Sequence, residues 1–287
     1  MPSGGISDVR TAPAARRRTD RTSDGSVIDR FHLDGRVAVV TGGGRGIGRA
    51  IALGLASAGA DVCIVARHEE ELAATVEDVR KLGRDASFVV ADLLDHEGRG
   101  RAIAAAAEAL GPVDILVNNA GSSVEKTAFV SVTWESWKRH LDLLLTAQAA
   151  LTQVAVRAMV AEDRPGVIIN VSSIYGLRGA PGGEKTLGSL TYYTAAKHGL
   201  VGFTRALAIE LAPSRIRVNA LCPGWVDTAM NPMAAVPRGF LARNLDQIPM
   251  GRWATTDEMV GPAVFLASEA SSFMTGQTLV VDGGHLA

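Results

Sequence analysis

The chain has 287 residues, of which 47% are hydrophobic and 21% are charged, and its formal net charge is −1. A chain of this length and apolar content can bury a full α/β core. A charge so close to neutral argues against nucleic acid or a membrane surface as a partner, because both attract basic faces. The sequence contains no run of 18 or more apolar residues, so we expect no membrane-spanning segment. Two cysteines, Cys63 and Cys222, are too few for a disulfide framework, and we expect them to be reduced, as in a cytoplasmic protein.

The first 32 residues differ in kind from the rest of the chain. They are rich in Arg, Ser, Thr, Asp and Gly and show almost no apolar periodicity, which predicts a disordered extension. Arg16-Arg17-Arg18 invites a targeting or nucleic-acid interpretation, but no apolar stretch follows it, and Asp20 and Asp24 dilute its charge. We therefore favour a solvated tail at 1–32 and one folded domain at 33–287.

From residue 36 onward, short β-rich runs alternate with helical patterns. This alternation predicts an α/β fold: a Rossmann-like, doubly wound, seven-stranded parallel sheet with helices on both faces. Ligands of such sheets bind beyond the carboxyl ends of the strands. The predicted strands lie near 36–41, 61–66, 86–91, 113–118, 166–172, 215–221 and 278–282.

The first predicted strand leads into a glycine-rich turn that spans Thr41 to Gly48, and a helical pattern follows at once. Glycines at 42, 46 and 48 would let the backbone turn sharply and approach a pyrophosphate at the amino end of the helix. A flexible linker has a similar composition, but it would not lie between an apolar strand and an amphipathic helix. The turn therefore predicts a dinucleotide site.

A second group of polar residues points to proton transfer. The apolar run Gly166 to Val171 ends at Ser172-Ser173, and Tyr193 and Lys197 lie one helical turn apart on a later helix. A phenol with a pKa of about 10 is a poor acid or base at neutral pH unless a nearby cation stabilises its anion. Alone, Tyr-x-x-x-Lys could be an ordinary helix-face pair. Its combination with the glycine turn favours catalysis.

In this order, the motifs resemble the short-chain dehydrogenase/reductase family of the Tyr-x-x-x-Lys type, from about Leu33 to the last residues. The segments that agree with the family pattern are the Thr41 to Gly48 turn, Asp92, Asn118 to Gly121, Pro223 to Thr228, Thr275 to Gln277 and Asp282 to Gly284. The resemblance implies that Ser173, Tyr193 and Lys197 are catalytic, and we assign no metal ligands. The cofactor contacts it implies are Thr41, Gly42, Arg45, Gly46, Ile47, Gly48, Arg67, Asp92, Leu93, Asn119, Ala120, Gly121, Tyr193, Lys197, Pro223, Gly224, Val226 and Thr228.

The activity implied by this resemblance is hydride transfer between nicotinamide and a carbonyl or secondary alcohol. Tyr193 would exchange the proton, Ser173 would hydrogen-bond the same oxygen, and Lys197 would lower the pKa of the phenol and anchor the nicotinamide ribose. An oxoacyl thioester, a sugar or polyol, and a ketone of secondary metabolism all remain open as substrates under a lid formed by Met230–Met250. A non-catalytic cofactor-sensing or scaffold protein is the alternative.

Charge at the end of the second strand bears on cofactor choice. An acid there would bond the ribose hydroxyls of NAD, but the aligned residue is Ala66. Arg67 follows it, and Arg45 lies in the glycine turn, so two guanidinium groups could bind a 2′-phosphate. The sequence therefore favours NADP(H). If Arg67 only stacks on adenine or lies in solvent, NAD(H) remains possible.

Two departures from the family pattern concern the chemistry. Ser173 and Tyr193 are twenty positions apart, and the extra residues within 176–190 predict a loop in which Glu184 or Lys185 could contact a polar substrate. A solvent-exposed excursion is equally compatible with this composition. Leu144 occupies the position of a family asparagine that helps to hold a water behind the lysine. A backbone carbonyl could still hold that water if the helix is locally kinked.

Quaternary structure is suggested by two helical regions, around 134–160 and 191–212, which carry apolar residues on more than one face. Excess apolar surface on a helix favours subunit packing. In the family these two helices form the dimer interface of a common tetramer. The resemblance therefore implies a homo-oligomer, either a tetramer or a dimer.

Overall fold

The computed structural model describes residues 26–121, 128–180 and 190–287. Its strands are β1 Val37–Thr41, β2 Asp61–Ala66, β3 Ala86–Val90, β4 Ile115–Asn118, β5 Gly166–Val171, β6 Ile216–Pro223 and β7 Thr278–Val281. Within the described ranges these seven strands form one parallel sheet in the order β3-β2-β1-β4-β5-β6-β7. The predicted doubly wound fold is confirmed, and each strand begins and ends within about two residues of its expected position.

Helices cover both faces of the sheet. They are α1 Gly46–Ser57, α2 Glu69–Lys81, α3 His96–Leu110, α4 Trp134–Leu141, α5 Ala147–Ala161, α6 Thr191–Leu211, α7 Arg238–Asp246 and α8 Val260–Ala267. One apolar cluster joins the sheet to α1, α2 and α8 through residues such as Ile51, Leu72 and Leu266. A second cluster joins the opposite face to α3, α5 and α6 through Ile103 and Leu151, among others. The apolar character of the strands follows from this double coverage, because both faces of a parallel sheet are buried.

The strand order reverses between β1 and β4. The chain builds β2 and β3 on one side of β1, then crosses back to place β4 on the other side. The connections that leave β1 and β4 therefore diverge to opposite faces, and a crevice opens beyond the carboxyl ends of these two strands.

The amino-terminal boundary differs from the prediction. Disorder was expected through residue 32, but Val27–Phe31 form a 3₁₀ helix whose start is capped by Ser26. The Phe31 ring lies 6.3 Å from the ring of Phe265 on α8. Composition missed this helix because one docked aromatic residue creates no periodicity. Residues 1–25 lie outside the described ranges.

The helix predicted over 134–160 contains an irregular turn. A π-helical turn, Asp142–Thr146, separates α4 from α5, and the amide of Ala147 donates to the carbonyl of Asp142. By length and composition alone, the stretch Trp134–Ala161 could cross a membrane, because an 18-residue window within it has a mean hydropathy of 1.4. Core helices of soluble proteins share these properties, and the buried residues of α5, including Leu151 and Met159, pack in the core.

The docked 3₁₀ helix generates a stability prediction. Phe31→Ala should lower the free energy of unfolding by about 1–2 kcal/mol, because the substitution removes a partly buried ring from its contact with Phe265. Val27→Ala is the matched control, since Val27 lies on the same helix and is 71% exposed. Denaturant unfolding of the two variants measures the difference. Equal stability would show that the 3₁₀ helix does not dock in solution.

Candidate active site

A cleft of about 1020 Å³ lies beyond the carboxyl ends of the central strands. It collects residues from segments far apart in sequence, as expected at the edge where the strand order reverses. Ser173, Tyr193 and Lys197 line its inner part. The predicted cofactor residues that also line it are Gly42, Arg45, Gly46, Ile47, Gly48, Arg67, Asp92, Leu93, Asn119, Ala120, Gly121, Pro223, Gly224, Val226 and Thr228.

The glycine turn has the geometry of a phosphate cradle. Gly42 and Gly46 have φ values of 66° and 55°, a left-handed conformation that other residues rarely adopt. A Cβ atom at Gly48 would lie 2.2 Å from the carbonyl oxygen of Gly42, so only glycine fits there. Helix α1 begins at Gly46 without a side-chain cap on its amino end. Its free N–H groups therefore fit the pyrophosphate of a dinucleotide.

Thr41 is the exception among the predicted cofactor contacts. Its side chain is fully buried and does not line the cleft. The hydroxyl donates to the carbonyl of Val117 at 3.2 Å and accepts from the amides of Asn119 and Ala120 at 2.9 and 3.0 Å. Thr41 therefore joins the end of β1 to the segment after β4. Thr41 thus holds the walls of the cleft in position and does not itself form part of them.

The proposed catalytic residues come from two elements. Ser173 follows β5, and its Oγ accepts from the amide of Tyr175 at 3.1 Å, which fixes the side chain at the start of a 3₁₀ turn. Tyr193 and Lys197 lie on α6. Lys197 is 4% exposed, its Nζ donates to the carbonyl of Val171 at 2.8 Å, and the same atom lies 5.6 Å from the centre of the Tyr193 ring. The predicted grouping of serine, tyrosine and lysine is therefore present.

Desolvation dominates the electrostatics of this group. Burial raises the pKa of Tyr193, and a hydrogen bond with Ser173 acts in the opposite direction. Burial also lowers the pKa of Lys197 to about 8. The sequence predicted a phenol pKa lowered by Lys197. The structure places the ammonium against a backbone carbonyl, and the loss of water around the phenol determines the direction of its shift.

Leu144 lies in the π-helical turn and is 1% exposed. It lines the cleft, with its Cδ2 atom 3.6 Å from the place that a Cβ atom on Gly121 would occupy. The helix is therefore locally irregular at this residue. π turns often occur at functional sites, because they break the regular pattern of helical hydrogen bonds. A proton relay through the backbone at this turn stays a prediction.

Sequence reasoning missed an aromatic cluster beside the cleft. The ring of Trp225 stacks on that of Trp253, with the ring centres 4.9 Å apart. It makes T-shaped contacts with Phe240 and Tyr175, whose ring centres lie 5.7 and 6.3 Å away. Trp225 and Tyr175 line the cleft, and Phe240 belongs to α7, within the predicted lid. Asn244, also on α7, accepts a 2.6 Å hydrogen bond from the Trp253 indole. The position of Trp225 directly after Pro223-Gly224 was the available signal.

Charged side chains surround the opposite end of the cleft. Arg45, Arg67, His68 and Glu71 all line it near Ala66. The Arg45 guanidinium lies 3.4 Å from a carboxylate oxygen of Glu71. Both arginines expected from the sequence therefore line the cleft, and the acid was not anticipated there.

Part of the predicted substrate region lies outside the described residues. Glu184 and Lys185 lie within 181–189, outside the described residues, as does the segment 122–127 that precedes α4. Of the predicted lid, Met230 lines the cleft. Asn244 and Phe240 tie α7 to the aromatic cluster instead.

The fold, the phosphate cradle, the partly buried tyrosine and the buried lysine together define a nicotinamide-dependent oxidoreductase. A family model described as enoyl-(acyl carrier protein) reductase matches residues 42–285. The chain belongs to the short-chain dehydrogenase/reductase family and is an NAD(P)-dependent enzyme acting on carbonyl or alcohol substrates.

Individual relatives match over nearly their whole length. The chain is 37% identical to 2-dehydro-3-deoxy-D-gluconate 5-dehydrogenase of Escherichia coli, over 91% of this chain and 99% of that enzyme. It is 38% identical to a 3-oxoacyl-(acyl-carrier-protein) reductase of Aquifex aeolicus, over 88% and 98%. A crystal structure of gluconate 5-dehydrogenase from Burkholderia cenocepacia, in complex with NADP and tartrate, is 35% identical, with a TM-score of 0.83 over 91% of this chain and 99% of that chain.

The π turn generates a prediction about pH dependence. Lys197 has a pKa of about 8, so carbonyl reduction should slow as the pH rises through that value and the ammonium loses its proton. Leu144→Asn should move this alkaline limb to higher pH, because a polar amide makes the cleft lining that Lys197 shares more favourable to the charged ammonium. Cofactor affinity should change little. The measurement is kcat/KM against pH for both proteins, and superimposable profiles would exclude a role for position 144.

Proposed function

We propose that Tyr193, Ser173 and Lys197 carry out the proton chemistry of an NADP(H)-preferring oxidoreductase. The observation that carries this proposal is their meeting in one cleft with the glycine turn. The alternative of a cofactor-sensing or scaffold protein is disfavoured by the complete set of three residues.

The division of labour follows from the geometry. A bound nicotinamide cofactor supplies or accepts the hydride. The Tyr193 hydroxyl gives its proton to the developing alkoxide during reduction and takes the alcohol proton during oxidation. Ser173, held by its bond to the Tyr175 amide, hydrogen-bonds the same substrate oxygen. Below its pKa of about 8, Lys197 provides a positive charge that stabilises the tyrosinate form as the proton leaves.

Tyr193→Phe tests the proton assignment. The variant keeps the ring and removes the proton, so kcat should fall by roughly 10²-fold or more, while cofactor affinity stays within a few-fold. Turnover is measured in both directions on a panel containing a sugar acid, a polyol, a 3-oxoacyl thioester and a ketone. Tyr192→Phe is the matched control, since that buried ring stacks on His140 at 4.3 Å instead of facing the cleft. Wild-type rates in Tyr193→Phe would refute the assignment.

The preference for NADP(H) is supported by charge and by similarity. Ala66 has no carboxylate that would repel a phosphate, and Arg45 and Arg67 line the same cleft. Guanidinium groups bind phosphate oxygens through paired hydrogen bonds. The similar Burkholderia cenocepacia enzyme was crystallised with NADP.

Arg67→Ala tests this preference. Loss of a guanidinium–phosphate contact should cost about 1.5–3 kcal/mol, so the variant should lose roughly 10- to 100-fold in NADPH affinity and little in NADH affinity. Titration of nicotinamide fluorescence measures both constants. Equal losses for the two cofactors would show that Arg67 does not contact the 2′-phosphate, and tighter NADH binding by the wild type would overturn the preference itself.

The protein is further proposed to act as a cytoplasmic homo-oligomer, a dimer or tetramer, with no nucleic-acid or membrane partner. Exposed apolar side chains support association near the start of α4, where Val130 and Trp134 are 93% and 73% exposed. The near-neutral net charge of −1 supports the other two statements.

A further inference from the structure

Glu71 is an acid in a place where the proposed cofactor would bring another negative charge. It is the third residue of α2 and lines the cleft together with Arg45 and Arg67. Its carboxylate lies 3.4 Å from the Arg45 guanidinium, and both side chains are accessible, at 36% and 50% exposure. Arg45 is therefore already paired with an acid on the wall where a 2′-phosphate would bind.

The backbone near Glu71 is held against the glycine turn. Thr75, one helical turn further along α2, is fully buried, and its hydroxyl bonds the carbonyl of Gly44 at 3.3 Å and that of Glu71 at 3.0 Å. A Cβ atom on Gly44 would lie 3.0 Å from the Cβ atom of Glu71. The first turn of α2 thus packs directly on the cradle. The backbone and Cβ atom of Glu71 are therefore fixed beside the glycine turn that carries Arg45.

A simpler role for this acid is stabilisation of the helix. Carboxylates in the first turn interact favourably with the amino end of a helix, and Glu69, Glu70 and Glu71 all occupy that turn of α2. Only Glu71 of these three lines the cleft. Helix stabilisation would be shared by the three acids, whereas an effect on the cofactor would be confined to Glu71.

We propose that Glu71 is a specificity-determining residue that weakens binding of a 2′-phosphate, by occupying Arg45 and by repelling the phosphate dianion. The inference rests on the proposed NADP(H) site. A phosphate bound to Arg45 would lie within a few ångströms of the carboxylate, and like charges at that separation repel. NADH carries ribose hydroxyls at this position and meets no such repulsion. The wall would therefore combine two attractive cations with one opposing acid.

Glu71→Gln tests the proposal, because it keeps the shape of the side chain and removes the charge. NADPH affinity should increase about 3- to 10-fold, while NADH affinity stays within about two-fold. In calorimetry, Glu71→Gln should increase the affinity for adenosine 2′,5′-bisphosphate, relative to the affinity for AMP, by the same factor. This comparison isolates the effect of the 2′-phosphate from that of the nicotinamide. The gain should shrink at high salt, because screening weakens an exposed charge pair. Glu70→Gln, an exposed neighbour on the same turn, is the matched control and should change neither constant.

The outcomes separate this inference from the cofactor preference. If Glu71→Gln leaves NADPH binding unchanged or weakens it, or improves both cofactors equally, Glu71 does not oppose the phosphate and the inference fails. A wild type that binds NADH more tightly, with a Glu71→Gln gain confined to NADPH, would refute the NADP(H) preference and retain the effect of Glu71. Unfolding curves for both variants show whether either substitution disturbs α2.

Discussion

The hydroxyl of Thr41 holds together the edge on which the whole cleft depends. It donates to Val117 and accepts from two successive amides, so one oxygen joins the end of β1 to the backbone that follows β4. The Asn119 side chain reinforces the junction by donating to the Thr41 carbonyl at 2.9 Å. The connections that follow β1 and β4 diverge here. Without the hydrogen bonds of Thr41, backbone groups at this crevice would be left unpaired. The junction gives the glycine turn a fixed partner, and the cofactor walls are built on it.

A buried network of polar side chains connects this junction to the elements near Ser173, Tyr193 and Lys197. Asn118 donates to both Thr152 and Asn170, and Asn170 donates to Thr204 on α6. These side chains connect β4, β5, α5 and α6, the elements that carry or flank the proposed catalytic residues. Such networks specify one arrangement when most of their members are paired. Ser173, Tyr193 and Lys197 are therefore positioned by elements that cannot shift independently, which suits a site whose acid and base must meet one substrate oxygen.

Local patterns in the sequence predicted the strands and the glycine turn, because each is encoded within a few neighbouring residues. The grouping of Ser173, Tyr193 and Lys197 was predicted from the order of motifs along the chain and their resemblance to a family. The role of Thr41 could not be predicted, since its three partners lie more than 70 positions away. The direction in which the pKa of Tyr193 is shifted depends on burial by several elements. Pairing of Trp225 with Trp253 and the docking of Phe31 likewise arise from contacts between distant segments. The periodicity of apolar residues along the sequence does not indicate such contacts.

The stacked pair of Trp225 and Trp253 makes helix α7 optically visible. Two indoles 4.9 Å apart are close enough for their excited states to couple, and such a pair in an asymmetric setting gives a strong near-ultraviolet circular dichroism signal. Trp253 is bonded to Asn244, and Trp225 touches Phe240, so both chromophores contact α7. A displacement of that helix would alter the contacts of both rings. The chain thus contains its own spectroscopic reporter of the position of α7, with no label attached.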